Sequence, residues 1–281
     1  MLSLVVALAG CAGAKRDAAS SPRTAAIDIG TFNIRNSGAR DGDDAWPKRR
    51  HLVVELLRER DVWGLQEALP EQVAWLRRQL PEFTVLSRTR EVDPERGEAC
   101  PLLFRTSRWR LDDDDHGTFW LSQQPDRIGS KSWDAALPRI ATYARLLERG
   151  SGRAFYVYNA HFDHRGTTAR LESARLLARH IAARRTSDPV VLLGDLNAGP
   201  AAPPLRALVG TPPALLVDAW RAAHPGAAEI GTFTGFRELG DRRIDHVLVT
   251  AGLEVVSCEI DVRRPGGRWP SDHVPVVAVL R

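Results

Sequence analysis

Cysteine is scarce. The 281 residues contain 3, at Cys11, Cys100 and Cys258, and none stands with histidine or a second cysteine at a spacing that would hold zinc. A structural zinc module is therefore excluded. Long apolar runs are also lacking: the one at the N-terminus is too short to cross a bilayer. No internal repeat and no low-complexity segment follows the N-terminal stretch, which excludes solenoids and arrays. Excess charge is modest. The net charge is +4, from 39 Lys+Arg against 35 Asp+Glu, and nearly all of the basic residues are arginine. A guanidinium matches phosphate oxygens in a bidentate fork, so the bias favours phosphate-bearing partners, although a GC-rich genome would leave the same signature.

What is present begins with a leader. "MLSLVVALAGCAGAKRDAASSPRT" has an apolar run of signal-peptide length, then Leu8-Ala9-Gly10-Cys11, then an Ala/Ser/Pro stretch. Leu-Ala-Gly-Cys resembles the bacterial lipobox, in which the chain is cut before the cysteine and that cysteine is lipidated. The expected organisation is a signal peptide at 1–10, a lipidated tether at 11–24 starting with Cys11, and one domain at 25–281. A basic segment ahead of Leu2 is missing, and an ordinary secretory signal with an incidental cysteine is the alternative. Both imply export, to the cell envelope in the lipidated case; membrane contact through a lipid anchor only, and a monomeric protein, are expected. Export permits disulfides. Cys100 and Cys258 both lie in strand-like stretches and read as buried thiols, with pairing left open.

From Ala25 onward, strand-like and helix-like segments alternate. "AAIDIGTFNIR", "DVWGLQE", "EFTVLSRT", "CPLLFR", "GTFWLS", "TYARLLER", "AFYVYNAHF", "VVLLGDLN", "RRIDHVLVT", "LEVVSCEID" and "VPVVAVL" read as strands. "WPKRRHLVVELLRER", "PEQVAWLRRQL" and "TARLESARLLARHIAARR" carry helical spacing, the last through Leu171, Ala174, Ala178 and Ile181. Many strands with few helices do not fit a parallel βαβ repeat, so the reading is α/β: two packed mixed sheets with helices outside. The acidic run Asp112 to Asp115 reads as a solvated loop, and Trp46 as a core or staple residue.

Polar residues recur where these strands end: Asn33 and Arg35; Gln66 and Glu67; Asn159, His161 and Asp163; Asp195 and Asn197; Asp245 and His246; then Ser271, Asp272 and His273 before the last strand. Each alone is an ordinary turn former or core polar residue. Together they are costly unless they converge, because buried polar groups require partners. Convergence at one rim would build a metal and phosphate site.

"TFNIR", "GLQE", "NAHFDHRG", "GDLNAGP", "RRIDHVLV" and "SDHVPVVAVL", in this order across nearly the whole mature chain, closely resemble the motifs of the endonuclease/exonuclease/phosphatase superfamily, with a secreted bacterial subgroup suggested by "GSKSWDAALPRIATYARL". The resemblance implies a deoxyribonuclease I-like four-layer α/β/β/α sandwich and a Mg²⁺-dependent phosphoesterase, with Mn²⁺ or Ca²⁺ as alternatives. It implies metal ligation by Glu67 with Asn33 and Asp272 beside it. Asp195 would accept a proton from the attacking water, with the identity of the base left open within the family, and Asn197 would orient that water or bind phosphate. His161 and His273 would donate to the non-bridging oxygens, His273 supported by Asp245 and His161 by Glu98. Arg139 and Tyr143 are candidate phosphate contacts, with a surface ion pair and a core aromatic as alternatives. The substrate expected is a phosphodiester, nucleic acid included, tracked by Arg35, Arg139 and Arg165. A small phosphomonoester, a phospholipid headgroup, or a catalytically inactive binding module on the same fold are the alternatives.

Overall fold

The structure is a computed structural model describing residues 26–210, 212 and 216–281. The expected signal peptide and lipidated tether, with Cys11, lie outside these. Among the described residues, strands and helices run β1 (Ile27–Asn33), α1 (Trp46–Leu57), β2 (Val62–Gln66), α2 (Pro70–Gln79), β3 (Phe83–Leu86), β4 (Leu102–Arg105), β5 (Trp109–Trp120), β6 (Ile140–Glu148), β7 (Ala154–His161), α3 (Thr167–Ala182), β8 (Val190–Asp195), α4 (Pro203–Leu208), β9 (Leu216–Asp218), α5 (Ala219–Ala223), β10 (Asp245–Thr250), β11 (Val255–Ile260) and β12 (Val276–Leu280).

The strands form two six-stranded sheets, ordered β11-β12-β1-β2-β4-β3 and β5-β6-β7-β8-β10-β9. Each is mixed: β1 and β2 run parallel, as do β7 and β8, and the remaining pairings are antiparallel. Ile29, Val157, Val191, Val247 and Val276 meet in the core between the sheets. Alternation along each strand turns the neighbouring side chains outward, where helices cover them. Phe32, Trp63 and Leu65 pack with Val53, Leu57 and Leu76 of α1 and α2. Tyr156, Tyr158 and Leu192 pack with Ala174, Ala178, Ile181 and Leu205 of α3 and α4. The result is the expected four-layer sandwich.

Two glycines make room for close contacts, the first within one sheet and the second between the two. A Cβ on Gly30 would lie 2.4 Å from the Trp63 ring, so only glycine lets that indole cross β1. A Cβ on Gly64 would meet the Asn159 amide at 2.8 Å. Asn159 crosses between the sheets there, donating to Leu65 O at 2.7 Å and Pro101 O at 2.9 Å. It also accepts from Gln66 Nε2 at 2.7 Å.

One expectation is corrected, and those for Cys100, Cys258 and Trp46 are met. Asp112 to Asp115 lie inside β5, not in a loop, at a register shift between Leu111 and His116. Asp115 is buried and accepts a hydrogen bond from the Tyr156 hydroxyl on the helix-covered face, because the register shift turns it away from the face that Trp109 and Leu111 present to the core between the sheets. Cys100 and Cys258 are separate, buried free thiols. Trp46 is core, its ring edge-on to Trp75 at 5.7 Å.

Candidate active site

Strand register brings the site together. Parallel pairing of β7 and β8 sets His161 beside Asp195, and antiparallel pairing of β8 and β10 sets Asp195 beside Asp245. In the other sheet, Asn33 ends β1 beside Gln66, which ends β2 and delivers Glu67. An isolated bridge joins His273 to Phe233. All these ends meet at one rim around a cavity of about 550 Å³. Glu67, Glu98, Arg139, His161, Asp195, Asn197, Asp272 and His273 line it, together with Arg35, His164, Phe233, Phe236 and Arg242.

Asn33 bridges the two sheets. Its Nδ2 donates to Glu67 Oε1 at 3.1 Å and to Asp195 Oδ2 at 3.0 Å, while its Oδ1 accepts from Arg35 N at 3.0 Å. Glu67 Oε2 takes two further bonds, from the backbone N at 3.1 Å and the Nδ2 at 3.0 Å of Asn36. Burial works against the Glu67 charge, but donation from Asn33, the His273 charge and the Asn36 donors outweigh it, and its pKa sits below the usual carboxylate range. The helix α2 start is capped by Gln72, which accepts from Leu69 N at 3.1 Å, leaving Glu67 free for the pocket. Arg35, Glu67 and Asn197 all adopt left-handed backbone, with φ of 54°, 60° and 47°. Such residues persist where surrounding structure holds them, commonly at functional sites.

Asp195 Oδ1 accepts from Asn197 N at 3.0 Å, and its Oδ2 lies 3.5 Å from His161 Nε2 and 3.8 Å from His273 Nε2. Burial, then the neighbouring Asp245 charge, raises its pKa. His273 Nδ1 is 2.8 Å from Asp245 Oδ2. Burial alone would lower the His273 pKa, but Asp245 and then Asp195 raise it to about 10, so the ring is an imidazolium at neutral pH.

His161 differs, and here the Glu98 assignment is corrected. Glu98 pairs closely with Arg90 and lies 3.7 Å from Arg139, and Arg139 rather than Glu98 faces His161 Nδ1, at 3.0 Å. Burial, then the Arg139 charge, drives the His161 pKa well below the ordinary histidine value, so this ring is neutral. Arg139 is correspondingly not a surface ion pair: it is 5% exposed and its fork is spent on His161 and His164.

Tyr143 is absent from the pocket. Along β6, Ala144 and Leu146 point into the core between the sheets, so Tyr143 points the other way and stacks on Tyr158 at 5.5 Å beneath α3. Asp163 also serves the frame: its carboxylate accepts from the backbone N of Ala136, Leu137, Arg165 and Gly166. His246 lies between Ala198 O, at 2.9 Å, and Arg243, at 3.1 Å. Arg165 is exposed at the surface.

The sequence pattern of the Endonuclease/Exonuclease/phosphatase family matches residues 30–273. The chain belongs to that family. A solved endonuclease/exonuclease/phosphatase of Bacteroides vulgatus is 33% identical with a TM-score of 0.85, covering 91% of this chain and 98% of the other. A mannosyl-6-phosphatase of Bacteroides thetaiotaomicron is 29% identical with a TM-score of 0.82, covering 91% and 99%. Nocturnin of Drosophila melanogaster is 29% identical over 182 residues, 52% of this chain and 28% of that protein. The chain thus spans under a third of that relative's length. Family hydrolases act on phosphoester bonds and generally use a divalent metal, and the rim described above is the part of this endonuclease/exonuclease/phosphatase member with the chemistry to do so.

Proposed function

We propose that the protein is a divalent-metal-dependent phosphomonoesterase for a small phosphorylated molecule. The observation that carries this reading is how the pocket uses its arginines. Arg35 is bound to Asp41 through Nε at 3.2 Å and Nη2 at 3.1 Å, and Arg139 is committed to two histidines. Two of the three cations expected to track a polyanion are therefore already paired in the wall of a cavity of about 550 Å³, a volume suited to a small ligand. The similarity to a mannosyl-6-phosphatase supports the same reading and adds sugar phosphates as a substrate class. A second reading, a phosphodiesterase acting on nucleic acid, is favoured by exposed Arg242 in the cavity wall and exposed Arg165 nearby.

The residues fit a hard divalent cation. Glu67 and Asp272 line one cavity as oxygen donors, the kind Mg²⁺ prefers. Burial, with the Glu67 charge adding to it, raises the Asp272 pKa, and a cation would relieve that repulsion. Glu67 and Asp272 would hold the ion, with Asn33 orienting Glu67. When bound, it would neutralise phosphate oxygens that otherwise repel an anionic nucleophile.

The chain supplies the rest. Asp195 takes the proton of the attacking water at Oδ2, and its raised pKa brings it towards the neutral range where a general base is most effective. Asn197 N and Asn33 Nδ2 fix that carboxylate. The His273 imidazolium and the neutral His161 Nε2–H donate to the oxygens on which charge accumulates. Assaying purified protein with Mg²⁺, Mn²⁺ or Ca²⁺ on mannose 6-phosphate, a chromogenic monoester, a chromogenic diester, DNA and RNA tests the proposal. Faster turnover of diester or nucleic acid than of either monoester would transfer the assignment to the second reading. The Leu8–Cys11 motif supports export with lipid anchorage at Cys11, and acyl-analogue labelling that marks the wild type but not Cys11→Ser is the expected outcome.

A further inference from the structure

His161 and His164 stand three residues apart at the end of β7, and one buried side chain reaches both. Arg139 Nη1 lies 3.0 Å from His161 Nδ1, and Arg139 Nη2 lies 3.1 Å from His164 Nδ1. A guanidinium has five N–H donors and no lone pair, so it can only donate. Each Nδ1 is therefore a bare acceptor. The single proton of each neutral ring must then sit on Nε2.

Arg139 lies in the wall of the same cavity, 5% exposed, with its fork turned to the two rings. Asp163 Oδ2 lies 3.6 Å from its Nε and Glu98 Oε2 lies 3.7 Å from its Nη1, which balances its charge in the interior. The two imidazoles line the cavity as well, His164 as an exposed ring. We propose that His164 is a substrate-contacting N–H donor acting beside His161, and that Arg139 is the positioning residue that fixes both rings as Nε2–H tautomers. One buried guanidinium fork is thus projected through two imidazoles onto the oxygens of the bound phosphate. The identity of that ligand rests on the phosphoesterase reading.

Two further observations support this arrangement. Both rings have lowered pKa values, from burial first and the Arg139 charge second, as expected for rings that receive rather than offer a proton at Nδ1. A hydrogen bond from a cation polarises the ring, so the far N–H becomes a better donor without adding a second imidazolium opposite His273. His164 follows "NAHFD" in the sequence and has no carboxylate partner, which is why the usual search for a His–carboxylate pair passes over it.

Long-range ¹H–¹⁵N NMR on histidine-labelled protein at pH 7 reads the tautomers directly, and both His161 and His164 should show a protonated Nε2 and a bare Nδ1. Calorimetric titration with inorganic phosphate tests the contact. His164→Phe keeps an exposed ring and removes both nitrogens, and it should weaken phosphate binding about tenfold, the cost of one hydrogen bond to an anion. Arg139→Lys, with a single donor head in place of the fork, should return at least one ring to mixed tautomers. If Arg139→Lys does not fold, His164→Phe and the wild-type spectrum still decide. A protonated Nδ1 at either ring of the wild type, or a phosphate Kd in His164→Phe within twofold of wild type, overturns the proposal. Turnover of a phosphoester alongside either of those results leaves the phosphoesterase reading standing. Phosphate binding as expected without turnover of any ester does the reverse.

Discussion

Replacing Asp245 by asparagine would remove the carboxylate 2.8 Å from His273 Nδ1 while keeping the shape of the side chain. In the wild type the ring's pKa is about 10, against an ordinary value of about 6.5, a preference for the charged form of roughly 5 kcal/mol. At pH 7 only about one ring in a thousand is then neutral. Without Asp245 its charge and hydrogen bond are gone while burial and the Asp195 and Asp272 charges remain, so the pKa falls towards the ordinary histidine value, at which about a quarter of the rings are charged at pH 7. Charge occupancy alone predicts about a fourfold loss. The asparagine also no longer fixes the tautomer, and losing a properly aimed donor to a developing oxyanion costs up to about a hundredfold. The expected decrease in kcat/KM at pH 7 is ten- to a hundredfold. The sign is set by the raised pKa: the wild-type donor stays charged through the neutral range and is lost only as pH approaches 10, whereas the variant loses it as pH rises through about 6 to 7. Profiles of kcat/KM on a chromogenic monoester, from acid to alkaline pH at saturating metal, would separate the two. An Asp245→Asn profile parallel to the wild type's and merely scaled would refute the reasoning.

Glu67→Gln should weaken Mg²⁺ activation about tenfold or more in a metal titration, because the amide removes the charge a cation requires, and should lower the melting temperature by a few degrees at most, because one oxygen that accepts from Asn33 or Asn36 becomes a donor. Chelation should abolish wild-type turnover, and activity that survives exhaustive chelation would contradict the metal assignment. Asp195→Asn should lower kcat by about two to four powers of ten, more than Asp245→Asn, since it removes the base itself. Asp163 is 1% exposed in its side chain and accepts from four backbone N–H groups, which outweigh burial and hold its pKa at about 2. This depressed value contributes about 2 kcal/mol that is present above pH 4 and lost as pH falls through about 2. Asp163→Asn should therefore melt about 5 °C lower than wild type at pH 7 in a calorimetric scan, with the gap narrowing in acid.

The layering and the rim were legible in the sequence because both follow from periodicity. A strand places alternate residues on alternate faces, so the recurrence of Asn33, Glu67, His161, Asp195 and Asp245 at strand ends pointed to one edge without any knowledge of strand order. Register then makes His161, Asp195 and Asp245 cross-strand neighbours. Partner choice was not legible. Whether Glu98 or Arg139 faces His161 depends on a loop that brings Arg90 to Glu98, and no local pattern encodes that pairing. Tyr143 was misplaced for a simpler reason: it lies four residues beyond Arg139 along an extended chain, about 13 Å, which carries it away from the rim. Asp115 was hidden differently, since the register shift in β5 buried a residue whose acidic neighbours suggested solvent.

The left-handed turns at Arg35, Glu67 and Asn197 were equally hidden, because none of them is glycine. Each such conformation costs of order 1–3 kcal/mol. They persist because the strands ending there are buried on both faces and cannot shift to relax them. Each turn also aims a side chain or an N–H back across the strand end. Glu67 meets Asn33 and Asn36, Arg35 N reaches Asn33 Oδ1, and Asn197 N reaches Asp195 Oδ1. The rigidity of the double sandwich and the geometry of its rim are therefore one property: the core that makes the fold stable also supplies the force that holds these three residues in conformations they would not adopt alone.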